Sequence, residues 1–227
     1  MNDCTASPEL CLAQSCFGYG NWAAPYWFIG LEEGLGKDEQ QDVEKSLRKR
    51  CEAFLELNRE GLCDCKTFHE EIGEKRLHGN FPILESTWRP LMLLLKAYLR
   101  EPADNDSLRK FQREEWGRGR GNTCLIELSG IPRRAYVHNA GGPPYWKERS
   151  AHIGERMSKS GSKLAVFYGC AQRGYWKEVI PGSAESDVIC FGTTQVLFVP
   201  HPNTRGLTND YWKVVGETAA VRASKVK

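Results

Sequence analysis

KLAVFYG, residues 163–169, is an apolar run with no charged side chain between Leu164 and Gly169. A strand with one face in water would alternate apolar and polar residues. An unbroken run is the pattern of a strand covered on both faces, and such strands belong to parallel sheets whose crossover helices lie above and below. Three further segments rich in β-branched and aromatic residues resemble it: PYWFIG ending at Gly30, TCLIEL (123–128) and TQVLFVP (194–200). All but one of the four are near-continuous in the same way.

Helical patterns lie between them. KDEQQDVEKSLRKRCEAFLELNR (37–59) places Val43, Leu47, Cys51, Phe54, Leu55 and Leu57 at mostly helical spacing. STWRPLMLLLKAYLRE (86–101) opens with Ser86 or Thr87 as a candidate N-cap and Pro90 in the first turn. DNDSLRKFQREEWG (104–117) reads as a polar helix, a shorter one is expected over 148–158, and LTNDYWKVVGETAAVRA (207–223) is the last. This order predicts an α/β fold: a three-layer αβα sandwich around a central, mainly parallel four-stranded sheet, doubly wound. Residues 1–20 read as an irregular N-terminal segment of a single domain spanning 1–227.

Composition agrees with that class. The 227 residues are 41% hydrophobic and 26% charged, which is a globular balance. No stretch approaches eighteen apolar residues, and MNDCTASPEL has neither a basic n-region nor an apolar h-region, so a cytosolic monomer without a membrane partner is expected. A net charge of +2 neither demands nor excludes nucleic acid, since only local clustering of Lys and Arg matters to a phosphate backbone.

Nine cysteines are present. Cys124, Cys170 and Cys190 lie in or beside apolar segments and read as core residues. Cys4, Cys11, Cys16, Cys51, Cys63 and Cys65, with His69, could supply a metal or iron–sulfur site. Their spacings of x6, x4 and x1 match no standard zinc pattern, so they read as reduced thiols, and no metal or cofactor is expected.

In a doubly wound sheet the ligand lies outside the carboxyl ends of the strands. Those ends carry Gly30-Leu31-Glu32-Glu33-Gly34, then Glu127-Leu128-Ser129-Gly130, then Gly169-Cys170, then His201-Pro202-Asn203. One edge thus collects acids, hydroxyl and imidazole, with glycines that let a ligand approach the backbone.

A first strand ending Gly30-x-Glu32-x-Gly34, a penultimate strand ending VFYGCA (166–171) and a last strand ending VPHPN (199–203) resemble the uracil-DNA glycosylase superfamily over residues 22–216. The resemblance implies hydrolysis of the N-glycosidic bond of uracil or a related damaged pyrimidine in DNA, without a cofactor. Glu32 falls where the family places the residue that positions the attacking water, and His201 matches the imidazole that hydrogen-bonds the departing base at O2. Gly30, Leu31, Gly34, Glu127, Ser129 and Asn203 fall on the base-binding surface. Thr204 and Arg205 belong to the loop that fills the gap left by the flipped nucleotide. The basic stretch Arg118-Gly119-Arg120 and the pair Arg133-Arg134 are candidates for the DNA backbone.

Three positions depart from the family pattern. Glu33 replaces the usual proline. Gly34 stands where uracil-strict members carry a tyrosine that excludes the thymine methyl group, so 5-substituted pyrimidines should be accepted. Glu127 stands where several members read the base with asparagine, and a carboxylate cannot donate to a carbonyl unless protonated. The plainer alternative for Glu32 and Glu33 is a solvated turn whose acids complement a helix dipole. For the whole chain the alternatives are a non-catalytic or weakly catalytic binder of damaged or abasic DNA, or a nucleobase-binding or nucleoside-binding protein. Trp22, Tyr26, Trp27, Tyr145 and Trp146 are either a stacking face or core and rim.

Overall fold

The computed structural model describes residues 7–35, 39–133, 145–169, 173–180 and 188–225. Among the described residues, the N-terminal stretch expected to be irregular holds helix α1 (Pro8–Ser15) and strand β1 (Gly18–Tyr19). Ser7 caps α1 by accepting from the Leu10 N–H at 3.3 Å, with Pro8 in the first turn, where its missing N–H costs nothing. Strand β2 follows at Tyr26–Gly34, α2 at Val43–Leu57, β3 at Leu62–Cys63 and α3 at Cys65–Glu71. A 3-10 turn (Lys75–Leu77) leads to α4 (Trp88–Leu99) and α5 (Asn105–Glu114). The remaining elements are β4 (Thr123–Arg133), α6 (Tyr145–Ser160), β5 (Leu164–Tyr168), α7 (Arg173–Val179), β6 (Val188–Phe191), β7 (Thr194–Val199) and α8 (Asn209–Lys225).

The sheet has seven strands in the order β3-β1-β4-β2-β5-β7-β6, where the sequence pattern predicted four. The four expected segments are its parallel centre, β4-β2-β5-β7. The additions are margins: β1 runs antiparallel to β4 and parallel to β3, and β6 runs antiparallel to β7. Two-residue and four-residue ladders carry too little periodicity to be read from sequence.

Successive side chains of the central strands alternate between two cores. Phe28, Leu125, Val166 and Leu197 pack with Leu47 and Phe54 of α2, Leu91 and Leu94 of α4, Leu108 of α5 and Trp212 of α8. Trp27, Ile126, Phe167 and Phe198 pack with Ile153 and Met157 of α6 and Trp176 of α7. Both faces are therefore dry, which is why β5 and β7 are buried along their entire lengths. Cys124 is core as expected, whereas Cys190 is exposed because β6 is an edge strand; Cys170 and Cys4 lie outside the described residues.

The cap of α4 differs from the expectation. Neither Ser86 nor Thr87 supplies it: the Glu85 carboxylate accepts from the N–H groups of Thr87 and Trp88 at 2.7 and 2.8 Å. An acid there also suits the helix dipole. Besides the pairing of β1, a guanidinium ties the end of α1 to the sheet. Buried Arg149 of α6 donates to the carbonyls of Leu128 and Glu127 in β4, and to those of Ala13 and Cys16, at 2.7–2.9 Å. Burial pushes its pKa down to about 10, which leaves it charged at neutral pH.

Candidate active site

The strand order reverses around β2, with β4 on one side and β5 on the other. Beyond the carboxyl ends of these strands lies a cleft of about 540 Å³, lined by Leu31, Glu32, Glu33, Gly34, Glu127, Tyr168, His201 and Asn203 together with residues of α2, α3 and the segment 74–88. This is the size range of small-molecule sites. Strand β2 continues four residues past Gly30, pairing Glu32 with Ser129, so the two acids stand on a strand rather than in a turn.

Glu33 faces inward. Its carboxylate takes a hydrogen bond from Tyr19 Oη at 2.9 Å and from Arg50 Nη1 at 3.0 Å, and His69 Nε2 lies 3.8 Å away. Buried Arg50 also donates from Nε to Glu39 at 2.6 Å. Burial would push the Glu33 carboxyl up, but Arg50 and His69 outweigh it and hold the group well below the usual carboxylate range. Glu33 is thus a fixed anion in the cleft floor.

Glu127 behaves oppositely. Tyr168 Oη donates to Glu127 Oε1 at 2.9 Å, while Oε2 is buried with no hydrogen-bond partner among the described residues. Burial pushes the carboxyl up to about 8; the Glu33 and Glu32 charges push the same way, and the Tyr168 hydroxyl and Arg149 oppose them. Glu127 is accordingly neutral near pH 7. With Oε1 accepting from tyrosine, the acid proton belongs on Oε2, where it is free to donate. Two acids on adjacent strands are thereby driven apart, one permanently ionised and one protonated.

His201 has its tautomer set by the chain. The Asn203 N–H donates to His201 Nδ1 at 3.1 Å, so in the neutral ring the hydrogen sits on Nε2. The residue is exposed overall, but partial burial of its ring lowers the pKa and favours the neutral form. Tyr168 meets its ring edge-on at 5.9 Å. Asn203 Nδ2 reaches Thr87 Oγ1 at 3.2 Å and so ties the loop after β7 to the start of α4. Thr204 and Arg205 are exposed in the same loop.

Other expected site residues fall elsewhere. Gly30 does not line the cleft; a Cβ there would collide with the Tyr168 ring, so its part is to let that ring lie across β2. Ser129 is buried and bonded to the Ile131 carbonyl and Tyr145 Oη. Arg118 and Arg120 precede β4, at the opposite edge of the sheet from the cleft, and border a separate depression with Asn21 and Trp22. Arg118 Nε grips the Asp64 carboxylate at 2.9 and 3.1 Å and so supports the cap of α3. Arg134 lies outside the described residues, as does the Arg133 side chain.

Of the candidate stacking aromatics, Trp27 and Trp146 are core, and Trp22, Tyr26 and Tyr145 are part-buried away from the cleft. The aromatic walls are Trp88 and Tyr168 instead. Tyr168 was visible in VFYGCA as a strand-end residue, but Trp88 carried no signal beyond its place in a helix. No family model matches the chain, and a search of curated proteins finds no match. Among the described residues no helix is long and apolar enough to cross a membrane.

Proposed function

We propose that the protein is a DNA glycosylase that hydrolyses the N-glycosidic bond of uracil or a related damaged pyrimidine, with Glu32 and His201 as catalytic residues. The observation that carries this reading is the convergence of Glu32, Glu127 and His201 from three different strand ends on one cleft. Breaking an N-glycosidic bond builds positive charge on the sugar and negative charge on the base. Glu32 serves the first by stabilising that charge and orienting water. His201 serves the second: its Nε2–H donates to the base O2 as charge develops there, worth about 3 to 4 kcal/mol for a donor of this kind. In this reading neutral Glu127 takes the part of an asparagine, its buried Oε2 turning to the cleft to donate to a base carbonyl.

Incubation with a uracil-containing oligonucleotide followed by alkali tests this. Strand cleavage is expected, with Glu32→Gln and His201→Ala each losing it; cleavage unaffected by both changes refutes the assignment.

One observation favours a second reading, a nucleobase-binding or nucleoside-binding protein that does not engage DNA. Glu32, Glu33, Glu39, Glu74, Glu85 and Glu127 all line the cleft, and Arg50 and Arg76 are already paired with acids. A wall so acidic offers little to a phosphodiester chain. Absence of DNA retention in a low-salt gel shift, with a free base still bound, selects it.

A further inference from the structure

Behind the cleft wall, three metal-ligating side chains meet that the proposed chemistry does not use. Cys65 opens α3, and His69 lies one turn later on the same helix face. His78 follows the 3-10 turn that folds back over them. All three are buried, at 0%, 2% and 2% exposure. Their donor atoms lie within 4.8 Å of one another. Cys65 Sγ is 3.4 Å from His69 Nδ1 and 3.8 Å from His78 Nε2.

We infer that Cys65, His69 and His78 form a binding site for a divalent transition ion of the zinc class. Zinc–sulfur and zinc–nitrogen bonds of about 2.3 and 2.0–2.1 Å at tetrahedral angles put sulfur and nitrogen ligands roughly 3.5 Å apart, which the two observed separations bracket. A donor set of one thiolate and two imidazoles suits zinc, and a buried position with only three protein ligands leaves a fourth for water. The surroundings are also those of a metal site. With Nδ1 of His69 on the ion, its Nε2 is left toward the Glu33 carboxylate, whose Oε1 lies 3.8 Å away, the kind of neighbour that orients ligating imidazoles. Trp88 roofs both imidazoles, at 5.6 and 5.9 Å.

In the metal-free chain His69 Nδ1 lies 2.7 Å from the Cys65 carbonyl and donates its hydrogen there. An incoming ion takes the place of the Cys65 thiol proton, and the His69 hydrogen moves from Nδ1 to Nε2, so binding releases a proton to solvent. Two segments, α3 and the chain after the 3-10 turn, would then be pinned together by one ion beside Glu33.

The test uses the untagged full-length protein, stripped of metal and titrated with zinc and then cobalt. One equivalent is expected to bind, with a rise in Tm and, for cobalt, a thiolate-to-metal charge-transfer band in the near ultraviolet. Cys65→Ser should abolish that band, and His78→Ala should weaken binding at least about 100-fold. Circular dichroism of each variant establishes that it is folded. Should Cys65→Ser not fold, His78→Asn, which keeps a polar group of smaller size, takes its place. No stoichiometric ion in the wild-type titrations, or a cobalt spectrum unchanged in the folded variants, overturns the site.

Discussion

Tyr168 donates its hydroxyl hydrogen to Glu127 Oε1 at 2.9 Å and leaves Oε2 as the buried oxygen that carries the acid proton. The bond ties the protonation state of one strand end to the side chain of its second neighbour across β2. It also makes the site sensitive to pH in a definite direction.

The groups facing Glu127 are Tyr168, Glu32, Glu33 and Arg149, and their sum with burial places its pKa at about 8. If base recognition needs the protonated acid, glycosylase activity should hold up to pH 8 and then fall by about tenfold per pH unit. Glu127→Gln donates at every pH and should lose that alkaline limb while keeping activity at pH 7. A pH–rate profile of the two proteins checks this; coincident alkaline limbs would place the titration on another group.

The same group affects stability. An acid at its ordinary 4.5 in the unfolded chain and at about 8 in the fold binds more protons when folded between those values. Stability should therefore be greatest below about pH 4.5 as far as this group is concerned, fall as pH rises to about 8, and level off. Glu127→Gln should flatten that slope in urea denaturation measured across pH 5–8.

His201→Ala should lower the single-turnover rate about 100- to 1,000-fold, as loss of an oxyanion donor does. The Tm should change little, because the residue is exposed and its bond from the Asn203 N–H lies within a loop. A large fall in Tm with an unchanged rate would assign the ring a structural part.

At Gly34 nothing among the described residues lies within 4 Å of where a Cβ would stand. The wild type should therefore process hydroxymethyluracil as well as uracil, and Gly34→Tyr should lose the first while keeping the second. Parallel oligonucleotide assays decide it, and rejection of hydroxymethyluracil by the wild type sinks it.

Arg118→Ala should cost about 1 kcal/mol of stability through the lost Asp64 contact and leave DNA retention unchanged. Weaker retention in a gel shift would return Arg118 to the DNA-binding surface.

The parallel core was legible because helices cover both of its faces, and a dry strand such as LAVFY cannot help reading as one apolar run. The N-terminal helix was not legible: Ser7-Pro8-Glu9 is a fair cap, but the short body that follows is hidden among small and polar residues, and the segment reads as irregular. Strand ends gave the position of Glu32, Glu127 and His201, since a doubly wound sheet allows few places for a ligand. What those residues do there was not legible. The proton on Glu127 follows from burial beneath Tyr168, the anion of Glu33 from Arg50 on a distant helix, and the meeting of Cys65 with His78 from a turn whose path no local pattern records.

Arg149 holds α1 through the Ala13 and Cys16 carbonyls, more than 130 positions earlier in the chain. Helix α1 packs on α2, which follows it closely in the chain, but the bonds to its last turn form only when α6 has folded against β4. Until then the Ala13 and Cys16 carbonyls lack their guanidinium donor, and α1 is held to the sheet less firmly. Loss of Arg149 should show first as poor yield and aggregation of newly made chains, before any defect at the cleft is seen.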